Sequence, residues 1–233
     1  MINFKQKSAF KAAFPYTLPI LTGFLFLGIA YGIYMTSLGF SPIFPILMSL
    51  FIFAGSMEFV TANLLLGGFN PIGAFLLTLM VNARHLFYGL SMLDKYQSAG
   101  KVSPYLIFGM CDESFSINVS TPVPPDVSAG DFYFFITLLN HLYWVTGATI
   151  GALFGSMLPF YPQGLDFVMT ALLIVIFLEQ WLKEDDHQSA LIGMGLTLIS
   201  LLFFGSNRFV IPAMIAILLV LIPLSHQKEG LKE

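Results

Sequence analysis

Charge is what this chain has least of. Only 10% of its 233 residues are Asp, Glu, Lys or Arg, against about a quarter in an average soluble domain. No Asp, Glu, Lys or Arg lies between Lys11 and Glu58, between Glu58 and Arg84, between Asp131 and Asp166, or between Arg208 and Lys228. A soluble fold cannot leave such runs open to water. Cysteine is nearly absent too: Cys111 stands alone, which excludes an intrachain disulfide and a cysteine metal cluster. No HExxH, GxSxG or Walker loop occurs, and no histidine has a second His or Cys at metal-ligand spacing. The chain therefore reads as a non-enzyme with no cofactor. A net charge of −3 without a basic patch gives nucleic acid nothing to hold.

What is present is apolar: 57% hydrophobic residues and a mean hydropathy of +0.82. The uncharged gaps are the spans of an integral membrane protein. At roughly 20 residues per crossing the length allows about seven. The expected fold is all-α, a polytopic membrane helix bundle forming one domain over 1–233, with room for broken or re-entrant helices. Lys5, Lys7 and Lys11 ahead of the first apolar run resemble a secretory signal. That run is too long for one, lacks a small-residue cleavage site and is followed by further spans, so it is expected to be retained.

The spans follow in order. Span one, about 14–37, carries Gly28 and Gly32 at small-xxx-small spacing. Span two begins at Ser41-Pro42 and holds FAGSMEF in its middle. Span three, from Asn70, has Pro71 set for a first helical turn. Span four starts at Pro104 and meets CDES about two turns in. Span five, 132–157, places Asn140, Trp144, Gly147, Gly151 and Gly155 on one helical stripe. Span six is 164–182, with Trp181 at its end, and 190–204 and 210–224 are the last apolar runs. The positive-inside rule draws both the first lysines and the 95–101 loop to the cytoplasm. Three spans lie between them, an odd number. Either the rule fails, or one segment enters and returns. Span two is the candidate, broken at Gly55-Ser56, which would put 121–131 and 183–188 outside.

The polar residues inside the spans carry the functional signal. A guanidinium at bilayer depth costs roughly 3 kcal/mol or more, so Arg84 either snorkels to the edge or faces a partner, a cavity or an anion. Asn82 and His85 accompany it. Glu58 needs a proton, an ion pair, a bound amine or a hydrogen bond to a neighbouring helix. Asp112 and Glu113 point about 100° apart on a helix, so only one can face Arg84 while the other reaches a cavity or the interface. His141 fits a structural hydrogen-bond donor better than a ligand. Opposite charges held apart in a small cavity bind a zwitterion, and broken helices add free backbone N–H groups for its carboxylate. The residues alone thus lead to a transporter of a small polar or amphipathic solute. An ion or small-solute channel is the alternative, and a non-transporting scaffold is a third.

FAGSMEF at 53–59, NARHLFYGLSM at 82–92, CDESFSI at 111–117, NHLYWVTGATIGALFG at 140–155 and LDFVMTALL at 165–173 occur in the order seen in the AzlC family. The chain resembles these large subunits of bacterial branched-chain amino acid exporters from about Pro19 to beyond Phe177. One position departs: glutamine commonly follows the small residues after FAG, whereas Glu58 stands here. The resemblance implies secondary active export of leucine, isoleucine, valine or, as a further candidate, methionine. It implies a multi-pass protein of the bacterial inner membrane with a cytoplasmic N-terminus. It also implies a small AzlD-like membrane subunit, for which the glycine faces at 28/32 or 147/151/155 would be docking sites. The substrate-binding set expected from the polar residues inside the spans is Arg84, Glu58, Asp112, Asn82, His85 and Glu113.

Overall fold

The computed structural model describes residues 4–229 apart from 69, 83, 158–166, 168–169, 172–173, 175–176, 179–180, 183–186 and 206–208. The described residues are helical and contain no strand. They form two compact units, Met1–Thr170 and Ala171–Glu233.

The first unit is built on two long helices, α1 (Phe4–Ser37) and α8 (Ala129–Met157). They run parallel: Phe10 meets Phe135 near their beginnings, Phe24 meets Trp144 midway, and Thr36 meets Gly155 near their ends. Glycine makes this possible. A methyl on Gly28 would stand 2.9 Å from the Ala148 nitrogen, and one on Gly147 would stand 2.8 Å from the Leu25 carbonyl oxygen. Methyls on Gly32 and Gly151 would run into the facing backbone outright. In lipid, where apolar burial drives nothing, this close approach is what holds two helices together. The glycine faces expected to dock a second subunit are therefore already filled by each other. By length and apolarity α1 alone, over Gln6–Ser37, would cross a bilayer unaided among the described residues.

Between α1 and α8 the chain makes three interrupted elements. The first is α2 (Ile43–Phe51) followed by α3 (Gly55–Leu66). From the end of α1 the chain turns back, so that Met48 lies under the Tyr31 hydroxyl and Ser49 and Phe53 reach His141. Then α3 climbs again: Gly55 and Glu58 meet Trp144, Phe59 meets Tyr31 and Tyr34, and Asn63 bonds the Tyr34 hydroxyl. Arms of 9 and 12 residues are about 14 and 18 Å long, too short for a core of about 30 Å. Span two is thus a re-entrant hairpin, with its break at 52–54, just before the expected glycine.

The second interrupted element, α4 (Pro71–Val81) and α5 (Arg84–Gln97), carries the chain to the opposite end, where Met92 and Tyr96 pack with Ala13 and Phe132. The third corrects the expectation for span four. A 3-10 turn at Gly100–Val102 leads into α6 (Ser103–Phe108), which rises along α8 until Tyr105 and Phe108 reach His141. After the break, α7 (Asp112–Ser120) descends beside α5: Phe115 stacks on Tyr88, Asn118 bonds the Tyr96 hydroxyl, and Lys95 Nζ donates to the carbonyls of Asn118 and Val119. The lysine thereby satisfies the negative end of α7. Span four is a second re-entrant hairpin, entering from the other side. Consequently 121–128 returns to the same end as the start of α1, where Val123 and Val127 pack with Ala13. The expected placement of 121–131 opposite that end does not hold, because it assumed that span four crosses.

With span two a hairpin, the odd count before 95–101 disappears: Lys11, Lys95 and Lys101 lie at one end, as the charge rule asks. The two hairpins also echo each other in sequence. Ile52-Phe53 lies in the first break and Ile107-Phe108 just before the second, and a glutamate, Glu58 or Glu113, follows five residues after each phenylalanine.

In the second unit, α9 (Gln188–Phe204) and α10 (Val210–Glu229) pack together, and Gly205 ends α9 at φ +70°. Trp181 stacks on His187 at 4.0 Å. Most of the expected span six, like most of the 183–188 loop, lies outside the described residues.

Two outcomes follow. Cysteines introduced at Ser41 and Asn70 should react with an impermeant thiol reagent from one side of the membrane, and cysteines at Ser98 and Ser128 only from the other. Labelling of 41 and 70 from opposite sides would remove the first hairpin. Gly32→Ala should destabilise the solubilised protein by about 1–3 kcal/mol through overpacking. Gly23→Ala, with nothing within 4 Å of the added methyl, should be neutral or raise the melting temperature.

Candidate functional site at the helix breaks

All three interruptions fall at one level of the first unit, around His141 on α8. In the first, the N–H groups of Ile52 and Phe53 both turn onto the Met48 carbonyl, and Phe53 takes φ +47°. A left-handed phenylalanine is costly and persists only when packing dictates it; here its ring lies 4.4 Å from the His141 imidazole. Gly55 then passes flat beneath the Trp144 indole, where a methyl would stand 3.1 Å from the ring. In the second, α4 closes with the Asn82 N–H on the Thr78 carbonyl, and the Asn82 carbonyl receives the His85 N–H at 2.9 Å. In the third, Gly109 packs against the Thr137 methyl, and Cys111 is extended before its carbonyl receives the Phe115 N–H.

Each break starts a helix, so the N-termini of α3, α5 and α7 come to this level with their first N–H groups unpaired within the helix. Each terminus is equivalent to roughly half a positive charge. The acids sit where that field favours them: Glu58 in the first turn of α3, Asp112 and Glu113 in the first turn of α7.

The sequence-selected residues divide into two groups. Arg84, the first residue of α5, faces Asp112, the first of α7, with Nε 3.0 Å from Oδ1. The pairing is one of charge, without the alignment of a hydrogen bond. The side chains are 37% and 28% exposed, while the facing Nε and Oδ1 atoms are themselves buried. The Tyr88 hydroxyl reaches the Asp112 carboxylate, and the Tyr88 ring stacks on Phe115 at 4.1 Å. His85 lies beside the Met110 backbone with its ring 5.5 Å from Tyr88, and Glu113 stays next to Cys111. Asn82 closes the end of α4. Here the helical reasoning holds: one of the adjacent acids meets the arginine and its neighbour points elsewhere. Tyr88, which helical spacing puts on the face of Arg84, joins the pair although it lay outside the expected binding set.

Glu58 stands apart. It is fully buried, and its Oε1 receives the Ala54 N–H at 3.0 Å and the Trp144 indole N–H at 3.0 Å. Tyr31 stacks on the same indole. No ion pair among the described residues includes it. His141 is likewise engaged, with Nδ1 3.0 Å from the Tyr105 hydroxyl and Nε2 3.3 Å from the Ser49 carbonyl. It ties α2, α6 and α8 together, the structural role its sequence context favoured.

Comparison with known proteins adds the following. The family model described as AzlC protein matches residues 19–158. The chain is 69% identical over 222 residues to the branched-chain amino acid transport protein AzlC of Bacillus subtilis (strain 168), covering 95% of this chain and 87% of that one. It is 52% identical to an uncharacterized membrane protein of Haemophilus influenzae over 91% of this chain and 88% of that one. To the inner membrane protein YgaZ of Escherichia coli (strain K12) the identity is 29%, over 79% and 80%. No solved structure matches.

The Glu58–Trp144 contact makes a testable statement. Trp144→Phe should cost about 1–3 kcal/mol by stripping a buried acceptor of its donor. Glu58→Gln keeps an acceptor oxygen and should stay within about 1 kcal/mol of the parent. Thermal unfolding of the solubilised variants measures both, and equal losses from the two would show that the indole is not the donor that matters.

Proposed function

The chain belongs to the AzlC family, and we propose that it is the large subunit of a secondary active transporter that exports leucine, isoleucine and valine. Its two compact units would act as one membrane domain over 1–233. The observation that carries this reading is 69% identity, over 95% of the chain, to a branched-chain amino acid transport protein. The geometry supplies a means. Arg84 and Asp112 neutralise each other at 3.0 Å with part-exposed side chains, so a zwitterion can insert between them without leaving either charge bare. Its carboxylate goes to the Arg84 guanidinium and the N-terminus of α5 or α7, its ammonium to Asp112. His85, Asn82 and Glu113 form the polar surround. Glu58 acts behind it, positioning Trp144 and the start of α3. Exchange of one ion pair for two is near neutral in energy, which suits a site that must release what it binds.

Methionine is the further substrate candidate. A small AzlD-like subunit belongs to the same proposal, with a seat other than the glycine stripes. So does placement in the bacterial inner membrane with Lys5, Lys7 and Lys11 cytoplasmic.

Arg84→Ala and Asp112→Asn should each lower export at least about tenfold, since each leaves its partner charge unpaired, while membrane levels stay normal. Intracellular amino-acid concentrations after feeding branched-chain dipeptides report this. Normal export by both variants would sink the site; no effect of the intact protein on those concentrations would sink the function.

A further inference from the structure

The α8 helix carries two polar side chains that the ion-pair site does not use. Asn140 and Thr137 are both 0% exposed, and neither Asn140 Oδ1, Asn140 Nδ2 nor Thr137 Oγ1 has a hydrogen-bond partner among the described residues. Their surroundings place them at the meeting of the hairpins. The Thr137 methyl lies on Gly109, at the tip of the second hairpin. One turn beyond Asn140, Trp144 lies on Gly55, at the tip of the first. Asn140 therefore falls between the breaks that precede α3 and α7, with the Phe53 ring next to Gly109 and against the neighbouring His141.

An amide that is buried with both its donor and its acceptor idle is a persistent cost, greater in a protein surrounded by lipid. Of its neighbours, His141 has two partners and Glu58 Oε1 two donors, while Glu58 Oε2 and Thr137 Oγ1, like the amide, have none among the described residues. Of these groups the amide alone has two idle atoms, a donor and an acceptor, and a fold that leaves it so is holding it for something that is present only part of the time. Resting on the transport reading above, we propose that the amino-acid head group passes between the two hairpin tips and is bound there by Asn140, with Thr137 beside it. The chemistry matches: Nδ2–H donates to a carboxylate, Oδ1 accepts from an ammonium, and the free N–H groups opening α3 and α7 add further donors for the anion. An uncharged amide reads a zwitterion without adding net charge to the path. The hairpins enter from opposite ends, so withdrawing either tip opens Asn140 to one side only. The contact of Phe53 with Gly109 makes the arrangement seen here the closed one.

The test uses the full chain, purified with any subunit that accompanies it, and leucine as probe. Asn140→Leu removes both idle polar atoms. It should raise the melting temperature without leucine, abolish the stabilisation that excess leucine gives the parent, and raise KM for leucine in proteoliposomes at least tenfold. In a Cys111→Ser background, Thr137→Cys should react with a small thiol reagent, and leucine should slow that reaction at least fivefold. If Asn140→Leu melts lower than the parent, or keeps the parent's leucine shift and KM, the proposal is overturned and Asn140 is structural. Unprotected labelling of Thr137→Cys overturns it as well. A parent protein that neither binds nor carries any branched-chain amino acid would overturn the transport reading itself, and this one with it.

Discussion

The parallel contact between α1 and α8 is what the rest of the unit stands on. Two helices in lipid gain nothing by hiding apolar surface from each other, so they must gain by close contact and by hydrogen bonds such as Thr17 with Tyr143. Gly28, Gly32, Gly147 and Gly151 bring backbone onto backbone at distances that no other residue permits. That approach fixes the pitch and rotation of α8. In turn it decides that Trp144, His141, Asn140 and Thr137 look toward the breaks of the remaining helices.

Around this pair, the hairpins follow from a limit on unpaired backbone. A chain that turns back at mid-depth exposes helix ends where there is no bulk water, and each end must find a partner inside the protein. The structure does this with side chains drawn from far apart: His141 caps a carbonyl of α2, Lys95 two carbonyls of α7, and Glu58 an N–H at the start of α3. Acids at the first turns of α3 and α7 answer the positive dipole ends. Arg84, itself at a helix start, is held there by Asp112 against a field that disfavours it. Charges placed this way are stable only as a set.

Much of this was legible in the residues. Uncharged runs showed the membrane, the FAGSMEF stretch showed the first break, and the adjacent acids at 112 and 113 showed that only one could meet Arg84. The lysine count even offered a re-entrant element as one of two ways out. Two things were not legible. Span four has the length of a crossing, and only contacts of α7 with α5, more than twenty residues away in sequence, show that it returns. The glycine stripes of α1 and α8 announced a close helix partner but could not say which, since small-xxx-small spacing is the same for an internal neighbour and a second subunit.

The sequence by itself determined the class, the family and the residues able to carry charge in lipid, because those depend on composition, period and the cost of burying an ion. Only the tertiary structure decided which segments cross and which turn back, that Glu58 serves Trp144 while Asp112 serves Arg84, and that Asn140 is left without a partner. Those outcomes depend on pairings between residues as much as 126 positions apart, such as Thr17 with Tyr143, and no local pattern records who will face whom once two helices have locked together.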